Sequence, residues 1–126
     1  MNPSSLTYVS QAVSSATSAA AAVESELERA RTLRLSGRPH HAVVAAMSAR
    51  MRCLDATFLP GIRRVALEAE SSLEAGLALL DVGDLEAARV ELAHAGEDGG
   101  VHLTHASLRD YRQALVEVRE LSRRYA

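Results

Sequence analysis

The residues of this chain able to do chemistry are few: five histidines, one cysteine and fourteen arginines among 126 positions, with no lysine. Glu91 and His94 form Glu-x-x-His, half of the ligand set of a di-iron helical bundle. Such a site needs a second Glu-x-x-His and two further inward glutamates, and no second copy occurs. His102 and His105, three apart, could join His94 around the glycine-rich stretch 96–100 as zinc ligands. Nothing else in the sequence supports a metal, and no cofactor is expected. His40 and His41 are adjacent, and adjacent helical positions diverge by ~100°, so they read as solvent-facing residues at a helix start. Arg50 and Arg52 near Cys53 would depress its pKa. No His or Asp is spaced to complete a nucleophilic site, so Cys53 reads as a small buried apolar residue. The glycines at 96–100 follow a helix rather than a strand, which argues against a phosphate-binding loop.

The arginines offer binding rather than catalysis. Residues 29–64 carry eight arginines against one acid, Asp55, and residues 65–110 carry ten acids against Arg89 and Arg109. A chain with a net charge of only −2 is thus strongly segregated. One reading is internal complementation, with the basic block facing the acidic block of its own or a neighbouring subunit. The other is an anion-binding face built from Arg38, Arg50, Arg52, Arg63 and Arg64, since the planar guanidinium meets carboxylate or phosphate bidentately. The net negative charge and the lack of aromatics beside these arginines favour an acidic protein over nucleic acid as partner.

These residues have to be positioned by helices. Hydrophobic residues make up 48% of the chain and aromatics only 3%, so the apolar mass is Ala, Leu and Val, and Ala and Leu are strong helix formers. Length indicates one domain able to bury a core without staples. The use of Arg alone fits a GC-rich bacterial genome. A single cysteine excludes an internal disulfide and fits a reducing cytoplasm. No stretch approaches the ~20 apolar residues of a membrane span, and the first residues lack the basic and Leu-rich regions of a signal peptide.

Helices are expected at about 5–36, 39–58, 62–82, 85–95 and 104–125. Ser4 or Ser5, Asp84, and Thr104 or Ser107 are placed as N-caps, Gly37 and Gly83 as stops, and Pro39 in a first turn. No segment alternates like a strand. The expected fold is all-α: a five-helix antiparallel bundle or an array of helical hairpins. The first helix would be roughly 45 Å long and outreach its companions. Its N-terminal seam, Leu6, Val9, Val13, Ala16, Ala20 and Val23, is therefore expected to pair with a second copy as a homodimer.

Two turns share a pattern. Around Gly37 stand Ala30, Leu33, Ala42, Ala46 and Ala49; around Gly83 stand Gly76, Leu79, Ala88, Leu92 and Ala95 at the same offsets. This resembles the helix-turn-helix hairpin of tetratricopeptide repeats, with Val82 to Ala88 the most family-like phrase. The turns are 46 residues apart instead of the family's ~34. Glu26 and Ser72 stand where that family has an early aromatic, and Leu54 and Gly100 where it has a closing proline. The resemblance covers roughly residues 26–95 and implies a protein-binding scaffold.

Arg89 and His94 also form Arg-x4-His, which resembles the motif of the HEPN ribonucleases. That resemblance implies His94 moving the proton of an attacking 2′-hydroxyl and Arg89 stabilising phosphate charge, without metal. Val90 stands where that family often has a polar residue. The function expected from the whole is a small cytoplasmic, non-enzymatic interaction module (adaptor, chaperone or regulatory subunit). A nucleic-acid-binding regulator and a HEPN-like ribonuclease are the alternatives.

Overall fold

The computed structural model of the chain describes residues 3–56 and 59–125, with side chains from residue 17 onward. The described residues form five helices and no strand: α1 (Pro3–Leu35), α2 (Pro39–Asp55), α3 (Gly61–Val82), α4 (Leu85–Ala95) and α5 (His105–Arg124). The chain is all-α, as expected. The one sizeable shift of boundary is in α2, which stops at Asp55 rather than 58. There the Ala56 N–H donates back to the Cys53 carbonyl at 3.3 Å, and buried Leu59 pins the link to α3.

Local chemistry closes both glycine turns in the same way. Gly37 and Gly83 sit at φ 81 and φ 91, a left-handed region that costs other residues strain. At the first turn the Arg38 N–H donates to the Leu33 carbonyl at 2.8 Å and the Gly37 N–H to that of Arg34 at 3.2 Å. At the second the Asp84 N–H donates to Leu79 at 3.0 Å and the Gly83 N–H to Leu80 at 3.1 Å. Each next helix begins two residues after its glycine, with Pro39 in a first turn and with Asp84 Oδ1 accepting from the Ala87 N–H at 3.1 Å. Thr104 Oγ1 caps α5 by accepting from the Ser107 N–H at 3.2 Å.

Each helix packs on its neighbours in sequence, and α3 also packs on both α1 and α5. Among the described residues α2 and α4 are not backbone neighbours. The result is two layers, with α3 between α1 and α5 in one and with α2 and α4 in the other, linked to each other through Arg50 and Glu91. The core fills the space between layers: Val23, Leu27, Cys53 and Leu67 at one end, Leu73 and Leu92 at the other. Each fully buried large aliphatic contributes on the order of 1.5–3 kcal/mol.

The 46-residue equivalence extends beyond the turns. Glu24 matches Glu70, Ser25 matches Ser71, Leu27 matches Leu73 and Glu28 matches Glu74. Contact volumes are redistributed at one matched pair. Buried Ala30 and Ala46 meet in the first hairpin, whereas Gly76 lies under Leu92 in the second. A Cβ at Gly76 would stand 2.8 Å from Leu92 Cδ2.

Candidate functional site: charged clefts flanking α1

The central acids of the fold are held by arginines. Glu74 on α3, only 4% exposed, accepts from Arg31 Nε at 3.4 Å and Arg34 Nε at 3.3 Å, both on α1. Glu91 on α4, 6% exposed, accepts from one nitrogen of Arg50 at 3.1 and 3.0 Å. Arg63 near the start of α3 pairs with Glu24 of α1. At the matching place in the second hairpin, Glu70 accepts from the Thr104 N–H at 3.2 Å and the Ser107 hydroxyl at 2.6 Å. A glutamate on one inner-layer helix thus grips the start of the next. Burying Glu74 and Glu91 is tolerable only because each finds arginine donors.

This pairing divides the predicted arginine face. Arg50 and Arg63 are engaged with acids of their own chain and do not stand as a free anion-binding pair. Arg38, exposed at the N-cap of α2, and exposed Arg52 have no ion-pair partner among the described residues. Arg64 is half-buried and close enough to Cys53 to act on its ionisation.

Two clefts lie on opposite flanks of α1. Between α1 and α2, a cleft of about 320 Å³ is lined by Arg29, His41 and Arg52 with Glu26, beside Val44, which is 70% exposed. Between α1, α3 and α5 runs a groove of two adjoining cavities, about 530 and 360 Å³, that share Arg31 and Asp110. Sequence reasoning missed Arg29 and His41 as cleft residues, and Glu70 as the clamp on α5. The match of Glu24 with Glu70 was the signal for the clamp.

A smaller cavity of about 100 Å³ between α2, α3, α4 and the loop after α4 is lined by Arg50, Glu68, Ser72, His94, Asp98 and His102. His102 Nε2 lies 3.3 Å from Asp98 Oδ2. His105, in the first turn of α5, is not part of this lining, so the three candidate zinc ligands do not converge. Among the described residues no group of three His, Cys, Asp or Glu side chains is arranged to hold a metal. Glu91 faces Arg50 and forms no half-site with His94. Arg89 and His94 are both exposed on α4, but five residues separate them by roughly 140° around the helix. Only His94 reaches the cavity.

Cys53 is fully buried, and its thiol is pushed up from 9.0 to about 11 by burial first and by Glu68 second, against the opposing pull of Ser71 and Arg64. The depression expected from Arg50 and Arg52 is absent, because Arg50 is turned to Glu91 and Arg52 to solvent. The expected dimer seam is also divided. Val23 is 0% exposed and lies in the chain's own core, so it is unavailable to a second copy. Ala20 packs partly against the same cluster. The side chains of Leu6, Val9, Val13 and Ala16 lie outside the described residues.

The architecture defines an all-α, two-layered helical array. Compared with known proteins, the chain matches no family model, no curated sequence and no solved structure. No helix among the described residues is long and apolar enough to cross a membrane.

Proposed function

We propose that this chain is a cytoplasmic, non-enzymatic helical scaffold that binds an acidic surface of another protein through the outer α1–α2 face. The observation that carries the reading is the cleft holding Arg29, His41 and Arg52 beside exposed Val44. Its two arginines outnumber its one acid, Glu26, while the inner arginines are already neutralised. Arg38, at the opposite end of α2 from Arg52, extends the cationic edge. The tetratricopeptide resemblance supports a scaffold in the same sense, since both glycine turns close with the same pair of hydrogen bonds.

The test is affinity capture of the partner by wild type and by an Arg29→Glu/Arg38→Glu/Arg52→Glu variant. Rim charges act on association and its salt dependence. The expected result is a partner lost by the variant, and released from wild type by salt, while helicity is unchanged. A partner held equally by both proteins refutes the reading.

Assembly is the second part. α1 has 33 residues and α2 only 17. These lengths are roughly 50 and 25 Å, so α2, running back from the turn, reaches only about halfway along α1. We propose that the sequence seam Leu6, Val9, Val13 and Ala16 pairs with a second copy there.

A further inference from the structure

The groove between α1, α3 and α5 has the opposite polarity to the cleft on the other flank of α1. Its half nearer the first glycine turn has an apolar floor of Leu77 and Leu80, with Leu35 beside them at 73% exposed. Asp81, Asp110 and Glu117 stand around that floor. None of these three acids has an ion-pair or hydrogen-bond partner among the described residues. The arginines present are matched by acids: Arg34 by Glu74, Arg31 by Glu74 and, at 3.8 Å, by Glu28, and Arg63, further along, by Glu24. Every cation of the groove is therefore neutralised while three carboxylates are not. An acidic occupant would meet uncompensated repulsion, and a purely apolar one would leave the three carboxylates partly desolvated without partners.

We propose that this groove docks a basic segment of another protein, one that lays leucine-like side chains on Leu35, Leu77 and Leu80 and directs lysine or arginine at Asp81, Asp110 and Glu117. The site is separate from the α1–α2 cleft and stands or falls independently of it. A protein with both would join an acidic surface to a basic segment across the width of one helix.

The probe is a short amidated peptide with leucine and lysine in helical spacing, labelled and titrated at low peptide concentration. Its controls are the same peptide with glutamate for lysine and the protein variant Asp81→Asn/Asp110→Asn/Glu117→Gln, checked for unchanged helicity. Expected are saturable binding of the lysine peptide, movement of the Leu77 and Leu80 methyl resonances, and loss of about tenfold in affinity in the triple variant, since exposed ion pairs contribute roughly twofold each. Raised salt should narrow that difference. The Arg29→Glu/Arg52→Glu variant should bind the peptide as wild type does, which separates this site from the cleft. Equal binding of the glutamate peptide, an unaffected triple variant, unmoved methyls or no saturation each overturn the proposal. So does a wild-type dimer dissociated by the triple substitution, which would give the groove to a second copy.

Discussion

Gly76→Ala offers a test in which helix propensity and packing pull in opposite directions. Position 76 is inside α3, where replacing Gly by Ala alone would stabilise by about 1 kcal/mol. The added Cβ would stand 2.8 Å from Leu92 Cδ2 and 2.9 Å from Cγ. Leu92 is fully buried and has little room to retreat, so the overlap costs ~1–3 kcal/mol. The net is a loss of about 1 kcal/mol, or roughly 4 °C in Tm for a chain of this size. Leu92→Ala alone should cost ~2–5 kcal/mol, taken here as about 3.5. In the double variant the overlap vanishes and the propensity gain remains, so the loss falls to about 2.5 kcal/mol. Simple addition of the single losses would give about 4.5, so the coupling is ~2 kcal/mol. The double variant recreates the Ala30–Ala46 pair of the first hairpin. Urea unfolding of the four proteins, with unchanged m-values, measures the cycle. Additivity within ~0.5 kcal/mol, or a Gly76→Ala protein stabilised by the full ~1 kcal/mol, refutes the packing argument.

Cys53 should resist thiol reagents in the native protein at mildly alkaline pH and react promptly once urea unfolds it; equal rates in both states would contradict its burial. Because its folded pKa is raised, its contribution to stability is complete below 9.0 and is lost as pH rises from there toward about 11. Cys53→Ala should flatten that limb of the stability curve. For assembly, Val13→Glu/Ala16→Glu should convert a sedimenting dimer to monomers; a folded wild-type chain that sediments as a monomer refutes the seam pairing.

The fold was legible where signals are local. Gly37, Gly83, Pro39, Asp84 and Thr104 mark their ends by backbone conformation and by caps that act within a few residues. The site was less legible because its pairings span the chain: Arg50 and Glu91 are 41 residues apart, and Arg31 and Glu74 are 43. A charge count sees the two blocks but not which arginines face inward. Val23 shows the same limit, since a heptad seam does not say whether its partner is α2 and α3 or another molecule. Helix 2 was overextended because its apolar pattern continues to residue 58, whereas the link must turn to bring Leu59 under the core.

The neighbour-to-neighbour packing of the helices has a kinetic consequence. Among the described residues no helix packs its backbone on one more than two places away in the chain, so the loops closed during folding are short. Low contact order of this kind goes with folding in microseconds to milliseconds. Either glycine turn can nucleate its own hairpin, and growth then proceeds by docking onto α3. At the far end, among the described residues, the α5 backbone rests on α3 and α4 alone, with Glu70 gripping its first turn. Amide exchange should be fastest along the last turns of α5 and slowest in α3, the helix that touches all the others. One side of the α1–α3–α5 groove would then belong to the first element to open, so the rate of α5 detachment would set the upper limit on how long anything stays in it.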